Sequence, residues 1–206
     1  MGLSYREDIK LPFELCDVKS DIKFPLLLDY CLTVSGRQSA ALGRSNDYLL
    51  EEYGLVWIVT DYEVTIHRLP RFKETITIET QAMSYNKLFC YRQFYIYDQE
   101  GQLLVDILAC FALLHPDTRK VASIPEDLVA PFETDFVKKL RRAPKMHLLE
   151  ESIDRDYHVR YFDIDMNGHV NNSKYLDWMY DVLGYEFLKT HEPLRMTLKS
   201  VSYTHL

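Results

Sequence analysis

Pro25-Leu26-Leu27-Leu28-Asp29-Tyr30-Cys31-Leu32, continued by Ala40, Ala41 and Leu42, is the stretch on which the fold turns. A proline suits the first turn of a helix, where its missing amide has no partner to lose, and Gly43 suits the end. The run is largely apolar, so the helix should be buried rather than amphipathic at the surface. Gly36 falls inside it and weakens it slightly. A second, short helix is expected over residues 46–52, stopped by Gly54.

From Leu55 the period changes to two. Val56, Trp57, Ile58 and Val59 lead into Tyr62, Val64 and Ile66, which alternate with polar residues, and Ile76, Ile78, Thr80 and Ala82 do the same. Residues 89–97 form an aromatic strand ending at Asp98-Gln99-Glu100-Gly101, a hairpin connection and not a calcium loop. Residues 103–114 are nearly all apolar, as in a central strand, and residues 121–124 close the series at Pro125. Upstream, residues 5–15 are a short, charged strand candidate. One buried helix followed by antiparallel strands with short turns makes an α+β unit.

Residues 131–144 turn polar and carry Lys138, Lys139, Arg141 and Arg142, with Lys145 just beyond. This stretch reads as a linker or connecting helix. A second unit follows. Residues 157–162 read as a strand and residues 163–168 as a turn. Tyr175, Leu176, Trp178, Met179, Val182 and Leu183 fit a helical stripe closed by Gly184, and alternation resumes over residues 196–206. Strand, loop, helix and strand repeat the order of the first unit, without readable sequence repetition. The division expected is residues 1–130, a linker over 131–150, and residues 151–206.

Composition narrows the function. The chain has 206 residues and a formal net charge of -7, which argues against broad nucleic-acid binding. None of the four cysteines, Cys16, Cys31, Cys90 and Cys110, forms a CxxC pair or has metal-ligand spacing. Buried thiols in a reducing compartment are expected. His67, His115, His147, His158, His191 and His205 show no metal spacing either. The charged N-terminus lacks the apolar core of a signal peptide. No apolar run reaches the ~18 residues of a membrane helix. A cytoplasmic chain without a membrane span is expected.

The chemistry is concentrated in Asp163-Ile164-Asp165-Met166-Asn167-Gly168-His169-Val170-Asn171-Asn172. Asp165, Asn167 and His169 are spaced by two, so an extended backbone would point all three the same way. A loop could also gather them, with Gly168 supplying the freedom. A carboxylate can act as general base toward water or attack a carbonyl directly. An imidazole can move protons near neutral pH, and an amide can fix either partner. A helix beginning near Asn172 would offer free amides to an oxyanion. Such a group suits thioester hydrolysis with no metal and no cofactor. The plainer alternative is that these are turn residues, with Asn171 or Asn172 a helix cap.

The Asp-x-Asp-x-x-Gly-His-Val-Asn-Asn-x-x-Tyr pattern of residues 163–175 resembles hot-dog-fold thioesterases. Gly54-Leu55-Val56-Trp57-Ile58-Val59-Thr60 is similar to a stretch of acyl-acyl carrier protein (ACP) thioesterases that follows their first helix. Residues 61–69, the aromatic strand at Phe89 and Ser123-Ile124-Pro125-Glu126 also resemble that family. The resemblance covers roughly residues 5–198. It implies a double hot-dog, each unit a long helix wrapped by an antiparallel sheet. It implies that residues 1–130 bind the acyl chain and residues 151–206 carry the catalytic Asp165, Asn167 and His169. Val56 and Trp57 follow the family's pocket region and are candidate acyl-tunnel residues. Both also read as plain core. Tyr175 is expected beside the site. An acidic ACP would be steered by Lys138, Lys139, Arg141, Arg142 and Lys145, which also read as a solvated linker face.

One departure from the family stands out. Its further catalytic acid is expected in the region Val201-Ser202-Tyr203-Thr204-His205-Leu206, which holds none, and the second sheet is incomplete at the C-terminus. A shortened form, or a partner chain such as a second copy in a homodimer that completes the sheet, would account for this. Three functions stay open: an acyl-ACP thioesterase, an acyl-CoA thioesterase of the same fold, and a catalytically weak acyl-binding module.

Overall fold

The computed structural model describes residues 2–139, 141, 150, 155–165, 168 and 170–199. The chain opens with β1 (Ser4–Lys10), α1 (Phe24–Ala41) and α2 (Asn46–Tyr53). Four long strands follow: β2 (Val56–Ile66), β3 (Thr75–Tyr85), β4 (Phe89–Tyr97) and β5 (Leu103–Leu114). Short β6 (Val121–Ala122), α3 (Glu126–Val129) and β7 (Asp135–Phe136) lead to α4 (Asn172–Leu183), α5 (Tyr185–Thr190) and β8 (Arg195–Lys199). The sheet order is β1-β3-β4-β5-β2-β8, with β6 beside β5 and β7 parallel to β3.

Helix α1 forms where the apolar run predicts it, with Pro25 in its first turn. Its buried stripe, Phe24, Leu27, Leu28, Cys31, Val34 and Gln38, follows helical spacing, while Thr33, Gly36 and Arg37 face solvent. The expected all-round burial is therefore confined to one side and a flank. The stripe packs on inward positions of the sheet: Tyr62, Val64 and Ile66; Ile76 and Ile78; Phe94 and Ile96; Val105, Ile107 and Ala109. These sets are two apart because alternate strand residues share a face. A helix lying in a wrapped antiparallel sheet is the hot-dog arrangement. A smaller core of Leu49, Leu55, Leu113, Ile124 and Leu128 sits under α2 and α3. Helix α2 is capped by the Ser45 side chain, which accepts from the Tyr48 amide at 3.1 Å, and ends at Gly54 in the left-handed conformation (φ 64°). Glycine is suited to that position because it has no Cβ to clash.

Three expectations change. The first strand stops at Lys10, because Pro12 cannot extend the ladder and Phe13–Leu15 form a 3-10 turn. Residues 157–162 are not a strand: Tyr161–Asp163 form a 3-10 turn, tightened by the Asp163 carboxylate, which accepts from the Arg160 amide at 2.9 Å. Tyr157 instead lies along α4, its ring stacked on Trp178 at 5.4 Å. The stretch from residue 131 is docked, not loose, at its start. Phe132 is buried, β7 pairs with β3, and the Val137 amide donates to the Tyr85 carbonyl. No helix continues there among the described residues.

The second half of the chain joins the same sheet. β8 pairs antiparallel with β2, from Thr65↔Arg195 to Asp61↔Lys199. Helix α4 packs beside α1 through Leu176, which belongs to the main core. The apolar stripe expected on α4 is split by this. Leu176 and Tyr180 turn inward, whereas Met179, Val182 and Leu183 are exposed among the described residues.

Candidate active site

A cavity of about 240 Å³ lies where α1, β2, α4 and β8 meet. Its apolar walls are Leu28 and Leu32 from α1, Val59 from β2, Leu176 and Met179 from α4, and Leu198 from β8. Its polar walls are Asp29, Thr60, Asp61, Asn172, Ser173 and Lys199. A mostly apolar hollow with a few convergent polar groups is the usual form of a small-ligand site. The register of β2 against β5 shifts between Val59 and Asp61. Such a bulge re-aims side chains, and here the consecutive residues Val59, Thr60, Asp61 and Tyr62 all border the cavity. The Thr60 hydroxyl donates to Asp61 Oδ2 at 2.8 Å.

The N-terminal turn of α4 faces this hollow. Asn171 caps the helix: its Oδ1 accepts from the Ser173 amide at 3.1 Å and lies 3.2 Å from the Ser173 hydroxyl. Upstream the backbone is pinched into a loop. Ile164 bridges Val170, and the Asn171 amide donates to the Asp163 carbonyl at 2.9 Å. The Gly168 amide donates to the Asp165 carbonyl at 3.0 Å, and Gly168 has φ 76°. Of the two backbones expected for the motif, the described ends therefore follow the loop. The Arg160 amide and guanidinium hold the buried Asp163 carboxyl below the usual carboxylate range. This carboxylate anchors the neck of the loop.

Asp165 is half-buried on the loop. Asn167 and His169 lie outside the described residues, as do Arg142 and Lys145. Tyr175 lines the cavity and remains 47% exposed, so it sits at a rim. Val56 and Trp57 do not border this cavity. Trp57 packs edge-on to Phe111 at 6.3 Å and against the smaller core. Lys138 and Lys139 are exposed, whereas Arg141 is paired with Glu63 at 2.8 Å.

Asp29, Asp61 and Ser173 were not singled out by motif reading. Asp29 could have been, because it is an acid inside an otherwise apolar helical run, and carboxylates are rarely buried without a partner. Burial pushes its carboxyl above the usual range, and the nearby Asp177 pushes the same way. A hydrogen bond with Ser173 and the charge of Lys174 act in the opposite direction. Asp61 had no such signal, since its placement depends on the bulge.

The cap itself is testable. Asn171→Ala removes the acceptor that satisfies the Ser173 amide, and a lost cap typically costs ~1 kcal/mol. The denaturation midpoint should fall accordingly at unchanged slope. An unshifted midpoint would mean that the amide finds another partner.

Two adjoining family models match the chain: the acyl-ACP thioesterase N-terminal domain over residues 2–132, and the acyl-ACP thioesterase C-terminal domain over residues 146–204. The chain belongs to the acyl-ACP thioesterase family. Within it, a chloroplastic acyl-[acyl-carrier-protein] hydrolase of Cuphea viscosissima is 25% identical over 96% of this chain and 51% of its own length. The chain thus spans about half the length of that relative. A Lactobacillus plantarum structure assigned as an oleoyl thioesterase is 34% identical, with TM-score 0.90 over 96% of this chain and 78% of that one. The 12:0-ACP thioesterase of Umbellularia californica shares the fold at TM-score 0.78 and 19% identity, covering 97% of this chain and 82% of that one. Among the described residues of this thioesterase-family chain, no helix is long and apolar enough to cross a membrane.

Proposed function

We propose that this chain hydrolyses the thioester of fatty acyl-ACP and releases the free fatty acid, which ends or diverts chain elongation. The observation that carries the reading is the apolar cavity set against the first turn of α4, immediately after the Asp165–His169 motif of an acyl-ACP thioesterase family member. Water adds to the thioester carbonyl, the carbon–sulfur bond breaks, and the thiol leaves with a proton. Asp165 serves as base toward water or as nucleophile, Asn167 positions, and His169 transfers protons or polarises. The positive end of the α4 dipole is suited to the oxyanion.

The division proposed is residues 1–130 and 151–206, joined by 131–150. Acyl binding is shared between the two units, because the cavity takes its walls from α1 and β2 of the first and from α4 and β8 of the second. Tyr175 belongs to this wall, and Val56 and Trp57 do not. The carrier protein, an acidic partner, would meet Lys138 and Lys139, while Arg141 is engaged by Glu63. A reducing, cytoplasmic setting suits the four unpaired cysteines. Burial holds Cys31 well above the usual thiol range and pushes Cys90 and Cys110 up to about 12.

The test compares one acyl group presented on ACP and on CoA. A higher kcat/KM is expected on ACP. Reversing the charges of Lys138 and Lys139 should lower that value about tenfold, at the low end of electrostatic steering effects, with the CoA ester little changed. Faster hydrolysis of the CoA ester, indifferent to charge reversal, would reject the ACP partner. Binding of acyl-ACP without release of thiol would reject hydrolysis.

A further inference from the structure

The chain past β7 is fastened to the sheet at two points. The first is the Val137 amide, which donates to the Tyr85 carbonyl at 2.8 Å, next to Phe136, whose ring packs edge-on to that of Tyr85 at 5.4 Å. The second is Arg141. Its amide donates to the Tyr91 hydroxyl oxygen at 3.1 Å, and the same hydroxyl donates to its carbonyl at 3.5 Å. Its guanidinium donates to Glu63 Oε1 at 2.8 Å. Tyr91 of β4 and Glu63 of β2 alternate with the inward residues Phe94, Tyr62 and Val64, so both lie on the outer face of the sheet.

The acceptor at Tyr91 is built in advance. Tyr91 is 6% exposed, and its oxygen also accepts from the Asn86 side-chain amide at 3.4 Å. Asn86 is itself fixed in the β3–β4 turn, where its Oδ1 accepts from the Leu88 and Phe89 amides, each at 2.9 Å. Lys138 and Lys139 lie between the two fastenings in the chain, and both are exposed. Arg141 differs from them, because its charge is matched by Glu63 and adds little to the field that a partner meets. The chain carries a formal net charge of -7, so its overall field opposes an acidic partner. Attraction then depends on where exposed cations are held. Lysines held before the encounter lose less freedom on binding than lysines on a slack segment.

We infer that Tyr91 and Glu63 are positioning residues for the carrier protein: by fastening Arg141, they hold Lys138 and Lys139 in one presentation toward an acidic partner. This role rests on the proposed acyl-ACP reading, whereas the fastening itself does not.

Tyr91→Phe removes one hydroxyl and no charge, so it separates position from electrostatics. In amide hydrogen exchange of the whole chain, the Arg141 amide should exchange severalfold faster in this variant, with Val137 unchanged. On acyl-ACP, KM should rise severalfold with kcat little changed, and the CoA ester of the same acyl group should show neither effect. Added to the Lys138 and Lys139 charge reversal, Tyr91→Phe should change kcat/KM little further, because both act through one contact. Glu63→Ala opposes the two effects in sign. It takes a negative charge from the face, so electrostatics alone would raise kcat/KM on acyl-ACP, whereas loss of the fastening should lower it. Wild-type exchange and KM in Tyr91→Phe, an equal loss on the CoA ester, or a rise in Glu63→Ala would overturn the inference. If Tyr91→Phe does not fold, Glu63→Ala decides it by the same exchange and kinetic measurements. If the wild type favours the CoA ester, the carrier-protein reading fails, and the exchange data still decide whether Tyr91 and Glu63 hold the segment.

Discussion

Asp165→Asn should reduce turnover of acyl-ACP about 10³-fold while leaving substrate binding intact, within the range that general acid–base groups contribute. The substitution is nearly isosteric. It keeps the Asp165 backbone carbonyl that accepts from Gly168 and leaves the Ile164–Val170 bridge untouched. What it removes is the negative charge and the basicity needed to take a proton from water or to attack the carbonyl. The half-buried position of Asp165 limits its replacement by bulk solvent as base. Single-turnover kinetics with acyl-ACP, alongside equilibrium binding of the same substrate, would separate chemistry from affinity. Turnover within tenfold of wild type would remove Asp165 from the mechanism. A parallel loss of binding would make it a structural member of the loop.

Phe94→Ala should cost ~3–5 kcal/mol of stability, the usual range for emptying a buried aromatic site. The ring is fully enclosed at 0% exposure, on β4 between Thr80 of β3 and Ile107 of β5. Its neighbours are strand residues held by ladders on both sides, so they cannot collapse into the space without breaking register. The denaturation midpoint should fall steeply at unchanged slope. A cost below ~1 kcal/mol would mean that the site closes, contrary to the stiffness expected of a central strand.

Local chemistry explains why much of the fold is legible in the order of residues. Helix α1 is set by Pro25 and by apolar spacing, and α2 by the Ser45 cap and Gly54. Strands β4 and β5 form over the expected ranges, and β2 and β3 form where two-residue alternation begins after Leu55. The reading failed where the same local pattern allows two outcomes. Residues 157–162 alternate as a strand would, yet Tyr157 stacks on Trp178 and Asp163 captures the Arg160 amide, so the segment lies along a helix. The stripe on α4 looks uniform in sequence, but only Leu176 and Tyr180 meet the core.

The same boundary runs through the site. The motif at residues 163–172 and its thioesterase resemblance are legible because the reacting types lie close together in sequence, and the family models agree with that resemblance. Val56 and Trp57 sit on the expected strand but away from this cavity, which β2 borders from Val59 to Tyr62. Asp29 and Ser173 are far apart in the chain and border one cavity only when α4 docks beside α1.

The amino-acid order alone determined α1, α2, α4, the strands β2 to β5, the family and the loop that bears Asp165, since each depends on residues within a few positions of one another. Tertiary structure alone decided where the cavity lies, which carboxylates border it, and that one sheet carries β8 beside β2. Those outcomes depend on burial and on pairing across long separations, which no local pattern encodes.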